Sequence, residues 1–186
     1  MNRGVEDVLF EMVGLCEELS VPYAVMGGIA VRVHGIPRPT FDVDMQLTIA
    51  QPQLECLFDA AVELGYTIAE PFRAGWRDEV GGMPLVKLRT FLAADRGVDV
   101  DIFINQTQFQ QSLMDRRQTV KFHDRDLYFV TAEDLVLLKL LANRPRDVGD
   151  VADVLFVQGQ LDEAYLRRWA KALQITDRVA TALNQT

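Results

Sequence analysis

Apolar positions recur at helical spacing at both ends of the chain and alternate with polar ones in its middle. Val5, Val8, Leu9, Met12, Leu15, Cys16 and Leu19 form one stripe, with Glu11, Glu17 and Glu18 opposite, which predicts an amphipathic helix ending before Pro22. Tyr23 to Met26 is a short apolar run that stops at Gly27-Gly28, and Ile29 to Val33 reads as helical. Asp42 to Leu47 alternates as a half-buried strand does, and Pro52 to Leu64 is a second amphipathic helix with Gly65 past its end. Residues 65–82, with Pro71, Gly75, Gly81 and Gly82, read as irregular or edge structure. Leu85 to Leu92 and Val98 to Ile104 read as strands. In the second, Val98, Val100, Ile102 and Ile104 share one face, and Asp99, Asp101 and Phe103 the other. A helix over Thr107 to Arg116 and a hairpin over Val120 to Val130, turning near Asp124, follow. Thr131 to Asp134 opens a helix through about Ala142, Pro145 can open the next, and Asp162 to Leu173 and Thr176 to Leu183 close the chain. Strands dominate the middle and helices both ends, so the pattern predicts an α+β fold with a helical C-terminal third, built as a single compact unit.

Two strand segments carry the chemistry. Asp42-Val43-Asp44 and Asp99-Val100-Asp101 each place two carboxylates on one strand face, their Cα atoms about 6.6 Å apart, with the valine turned inward. Asp is a poor strand former, and clustered carboxylates repel unless something positive intervenes. If the two strands are neighbours, the four oxygens-bearing side chains could hold one or two divalent cations, Mg²⁺ or Mn²⁺ by their hardness. The alternative is a solvated sheet face that happens to carry Asp. Gly27-Gly28 between a strand and a helix lets a ligand approach the backbone, and the helix N-terminus favours a phosphate, although a Gly-Gly pair alone reads as a plain turn.

Charge narrows the classes. The 186 residues carry 19 Lys plus Arg against 27 Asp plus Glu, a net charge of −8, which argues against a broad grip on nucleic acid. It leaves room for one nucleotide brought in by a metal. No apolar run is long enough to span a membrane, and the acidic start lacks a signal peptide's apolar core, so a cytoplasmic protein is expected. Cys16 and Cys56 read as reduced core thiols, with one bridge as the alternative.

Met26-Gly27-Gly28-Ile29-Ala30, His34-Gly35 and Arg38-Pro39-Thr40-Phe41-Asp42-Val43-Asp44 together resemble the first motif of the DNA polymerase β-like nucleotidyltransferase superfamily. Val100-Asp101-Ile102 is similar to its third carboxylate. The spacer and the Leu138 to Val151 segment, with Lys139, Arg144, Asp147 and Asp150, resemble the AbiEii-type branch, which includes toxin–antitoxin nucleotidyltransferases. The resemblance implies a mixed sheet flanked by helices, with a nucleotidyltransferase core over 1–130 and a helical segment over 131–186. It implies that Gly27 and Gly28 cradle a triphosphate, that Asp42 and Asp44 bind Mg²⁺, and that Asp101 completes the site, with Asp99 as its rival. NTP is then the substrate. The acceptor is tRNA, a protein or a small molecule, and an antitoxin is a possible partner. A small-molecule modifier of aminoglycoside type and a catalytically idle binding protein are the alternative readings.

Outside these motifs, Lys139 is the single charge in the apolar run Leu135 to Ala142. It either snorkels to the surface or meets a phosphate or carboxylate, with Asp147 and Asp150 nearby. Arg38 and Lys87 are candidates for further phosphate contacts, with an exposed strand residue as the preferred reading of Lys87. His34 and His123 lack metal-like spacing. Trp76 fits core packing better than a lid. Basic patches are expected around Arg144 and Arg146 or Arg116 and Arg117.

Overall fold

The computed structural model describes residues 4–93 and 96–184. In chain order it contains α1 (Val5–Glu18), β1 (Tyr23–Met26), α2 (Gly27–His34), β2 (Asp42–Leu47), α3 (Gln51–Glu63), β3 (Thr67–Ile68), α4 (Glu70–Arg73), β4 (Asp78–Val80), β5 (Met83–Ala93) and β6 (Arg96–Ile104). The second half adds α5 (Gln108–Arg116), β7 (Gln118–Phe122), β8 (Arg125–Phe129), α6 (Ala132–Ala142), α7 (Pro145–Gln158), α8 (Glu163–Ala172) and α9 (Thr176–Leu183).

The described strands form one mixed sheet in the order β3-β5-β6-β2-β1-β8-β7, with β4 on the free edge of β5. Two parallel pairings, β2 with β6 and β1 with β8, sit among antiparallel ones. The expected α+β architecture, a mixed sheet with helices, is what the chain adopts. Val43, Met45, Val98, Val100 and Ile102 are buried on one sheet face, and α1 packs against β2 and α3.

The other face departs from simple alternation. Gln46 and Phe103 point the same way as the aspartates yet are 0% and 4% exposed. Helices α5 and α6 cover that end of the strands. Gln110 of α5 donates to Gln46 Oε1 at 3.1 Å, and Leu135 and Leu138 of α6 wall a small pocket with Phe103. The sheet is therefore two-sided at one end and open at the other, and the carboxylates occupy the open end.

Local chemistry explains the helix boundaries. Thr107 accepts from the Gln110 backbone N–H while the Gln110 side chain accepts from Thr107, a reciprocal cap for α5. Thr131 caps α6 through the Asp134 N–H. Helix α6 ends at Asn143, in the left-handed region (φ 52°), and Pro145 opens α7. Buried Asp134 also accepts from Tyr165 at 2.6 Å, tying α8 to α6.

Residues 65–82, expected to be irregular or edge structure, form two short edge strands and the one-turn helix α4. Two expectations need correction. Cys56 is exposed on α3, and only Cys16 is a buried thiol, although both are free as expected. Trp76 is 61% exposed and donates to Asp78 at 3.1 Å instead of packing in the core, because the glycines around it keep that turn at the surface. Among the described residues no helix is long and apolar enough to cross a membrane.

His34 closes α2 at 3% exposure, with Nε2 2.8 Å from the Val130 carbonyl oxygen, so that nitrogen carries the proton. Burial holds its pKa below the ordinary value, against the opposing pull of Val130 and Glu133. Below pH about 6.5 the unfolded chain binds a proton there that the folded chain refuses, so this group's stabilisation fades as pH falls. A His34→Gln variant should lose less melting temperature between pH about 7.5 and about 5 than the parent, by about 3 °C, measured by circular dichroism.

Candidate active site

The turn after β1 is shaped by what faces it. Met26 pairs with Asp44 across the antiparallel β1–β2 ladder, so Gly27 begins beside that carboxylate. Gly27 has φ +64°, and a Cβ on it would overlap the Asp44 carboxyl group. A Cβ on Gly28 would overlap the Thr40 hydroxyl, which itself donates to Asp42 at 2.6 Å. Two glycines are thus required for the backbone to lie against the carboxylates, at the N-terminus of α2, where free N–H groups favour an anion.

The parallel β2–β6 ladder sets Asp42 opposite Asp99 and Asp44 opposite Asp101. All four aspartates of the sequence pattern therefore share one patch of sheet. Their environments differ. Asp44 is half-buried, and burial first, then the charges of Asp42 and Asp101, push its pKa up to about 7, with Lys139 and Arg144 opposing. Burial likewise raises Asp101, against the pull of Lys87. Its Oδ1 is buried without a hydrogen-bond partner among the described residues. Asp99 stands further out, 53% exposed and 3.3 Å from the Arg89 guanidinium.

These features fit a divalent cation. An orphaned buried carboxylate oxygen and a neighbour too crowded to ionise normally both gain from added positive charge, and the donors are hard oxygens. Among the described residues, however, no three acidic, His or Cys side chains already stand close enough to form a metal cage.

Behind the patch lies a second cluster. Lys139, 12% exposed, does not snorkel out: its Nζ donates to Asp147 at 2.9 Å and lies 2.8 Å from Asp150. Arg38 grips Asp150 with two hydrogen bonds of 2.5 and 2.6 Å. Burial alone would raise the Asp150 pKa, but the bonds from Arg38 and Lys139 outweigh it and hold the group below the usual range. Asp147 also accepts from the Arg144 backbone N–H at 3.1 Å, fixing the start of α7. Arg38 and Lys139 are thus engaged by carboxylates. Arg146 donates to the Pro39 carbonyl at 3.2 Å, which places this basic pair beside the patch. Arg116 and Arg117 are spent elsewhere, on Glu133 and on the Met114 carbonyl and Tyr128 ring.

Sequence reasoning gave no role to Thr40, Arg89 or Gly97. Lys87, weighed as a phosphate contact but preferred as an exposed strand residue, is exposed on β5 and also faces Asp101 at 3.5 Å across the β5–β6 ladder. The signal was present: Lys87 and Arg89 are two apart on a strand, as the aspartates are, but only the strand order sets them on the same patch.

Two outcomes follow from these charges. Between pH about 4 and about 7 the unfolded chain releases the Asp44 proton while the folded chain keeps it, so ionising Asp44 costs stability as pH rises. Asp44→Asn should therefore melt about 5 °C above the parent at pH about 8 in chelator, the gain shrinking toward pH about 4, by calorimetry. In the rear cluster, Asp150→Ala leaves half-buried Arg38 without its carboxylate and Lys139 with Asp147 alone, and should cost about 2–3 kcal/mol by urea unfolding. Arg38→Ala should cost less, because Lys139 still neutralises Asp150.

No curated protein sequence matches the chain. Solved structures do. The lincosamide antibiotic adenylyltransferase LnuA, lincomycin-bound, superposes with a TM-score of 0.55 at 19% identity, over 84% of this chain and 99% of that one. ANT(2")-Ia in complex with adenylyl-2"-tobramycin gives 0.53 at 12% identity, over 96% of both chains. An antigenic nucleotidyltransferase-like protein from Paracoccidioides brasiliensis gives 0.52 at 19%, over 95% of this chain and 91% of that one. At such identities the likeness is one of fold. The family profile described as "Nucleotidyltransferase of unknown function (DUF6036)" matches residues 7–182. With nearly the whole chain covered, and the Gly-Gly turn set against paired aspartates, the protein belongs to this nucleotidyltransferase family.

Proposed function

We propose that the chain transfers NMP from an NTP to an acceptor hydroxyl or phosphate with Mg²⁺ as cofactor. One observation carries the reading: the register of β2 on β6 gathers Asp42, Asp44 and Asp101 beside the Gly27-Gly28 turn. Asp42 and Asp44 are the metal ligands. Asp101 is the third, chosen over Asp99 because it faces Asp44 and keeps an unsatisfied oxygen, whereas Asp99 is exposed and engaged by Arg89. The Lys139–Asp147–Asp150 cluster supports placement near the AbiEii-type branch.

Gly27 and Gly28 present backbone N–H groups and bare backbone to the triphosphate, and the α2 N-terminus adds a favourable dipole. Arg144, which already lowers the Asp44 pKa, faces the same charge. Asp101 takes the proton of an acceptor hydroxyl as its oxygen bonds to the α-phosphorus. The bond to the β-phosphate oxygen breaks, and pyrophosphate leaves. Asp42, Asp44 and Asp101 would hold Mg²⁺, which when bound would supply Lewis-acid charge for this transfer. Arg38 and Lys139 act through geometry, holding the segment before β2 against α7.

Calorimetric titration with ATP, GTP, CTP and UTP in Mg²⁺ should show binding of at least one nucleotide. The Asp42→Ala, Asp44→Ala double variant should bind it at least about tenfold more weakly, a loss of about 1.4 kcal/mol. Equal binding by parent and variant would remove the metal role.

A further inference from the structure

The outer flank of the carboxylate patch is basic, in a protein of net charge −8. Lys87 and Arg89 lie two residues apart on β5, opposite Asp101 and Asp99, so both side chains rise on the carboxylate face. They are 47% and 53% exposed, and their ion pairs span 3.5 and 3.3 Å, against 2.5 to 2.9 Å in the rear cluster. Such loose, exposed pairs contribute little to stability. Beyond them is a hollow of about 340 Å³ lined by Lys87, Arg89, Asp99, Thr67, Ile68 and Phe72 among others. Its one carboxylate is already paired with Arg89.

Arg89 is also placed by its surroundings. Its guanidinium lies over Gly97 of β6, where a Cβ would come within 2.5 to 2.8 Å of Nε, Nη2 and Cζ. The guanidinium carbon is 5.8 Å from the exposed Phe91 ring. A glycine beneath, an aromatic ring beside and a carboxylate in front hold this cation at the rim of the hollow.

Resting on the nucleotidyl-transfer reading, we propose that Lys87 and Arg89 form the acceptor subsite and that the acceptor carries phosphate near its reacting hydroxyl. The triphosphate cradle lies on the β1 side of β2, and β6 and β5 follow on the other side. In-line displacement puts acceptor and leaving group on opposite sides of the α-phosphorus, so the acceptor enters over β6 from β5. Were the aspartates' charge met by a cation, Lys87 and Arg89 would be left free to meet an anion. The same flank repels a polycationic acceptor such as an aminoglycoside. A nucleotide and the end of an RNA strand share the required chemistry.

Two probes separate those sources: adenosine 5′-monophosphate, followed by calorimetry, and a fluorescein-labelled single-stranded hexaribonucleotide, followed by anisotropy. Both are titrated into the full chain with Mg²⁺ and a non-hydrolysable ATP analogue. At least one should bind, with affinity falling as salt rises. A Lys87→Gln, Arg89→Gln variant should weaken that probe at least about tenfold while nucleotide affinity, read separately with the analogue alone, stays within about threefold. Gly97→Ala, which displaces only the tip of Arg89, should weaken the probe severalfold and leave melting temperature unchanged. Unchanged probe affinity in the double variant, no binding of either probe by the parent, or preferential binding of tobramycin would overturn the assignment. Failure of the analogue to bind would count against nucleotidyl transfer, and the same probe titrations repeated with Mg²⁺ alone report on the basic flank independently of it.

Discussion

Like-charge crowding on one patch of sheet is the constraint around which this molecule is arranged. The parallel alignment of β2 with β6 forces four aspartates together, and each neighbouring element answers that charge. The Gly-Gly turn offers N–H groups at close range because nothing larger fits against Asp44. β5 sets two cations along the outer flank, and α6 and α7 supply Lys139 and Arg144 from behind. An oxygen of Asp101 without a partner among the described residues, and a half-buried Asp44 held from ionising normally, are the part that chemistry can use.

The two charged clusters play opposite parts. In the rear one, two cations and two carboxylates meet at short distance and little exposure, so the charges are satisfied and the geometry is fixed. In the front one, negative charge exceeds positive, the pairs are long, and Lys87, Arg89 and Asp99 remain open to solvent. Rigid neutrality behind and unresolved charge ahead is how a site stays ordered while keeping electrostatic energy for a ligand.

Much of this was legible in the sequence, for local reasons. The aspartate pairs announce themselves by period two, the helices by their apolar stripes and caps, and the Gly-Gly turn by its place between an apolar run and a helix. What was not legible depends on partners distant in the chain. Asp42 and Asp99 meet only because β6 returns beside β2, a relation no local pattern encodes. Arg89 carried no signal of its own, and nothing lifted Lys87 above an exposed strand position until the strand order placed both on that patch. Trp76 and Cys56 were misassigned because size and apolarity suggest burial, while exposure is decided by which face of a turn or helix its neighbours leave uncovered.

The grip of Arg38 on Asp150 joins residues 112 positions apart. As the chain leaves the ribosome, the strand bearing Asp42 and Asp44 emerges early, whereas the carboxylate that fastens the segment before it is made much later. Until then Arg38 has no such anchor. The order of synthesis thus delays completion of this clamp until α7 exists, so a truncated product carries the paired aspartates of β2 without the pairing that fastens the segment before them.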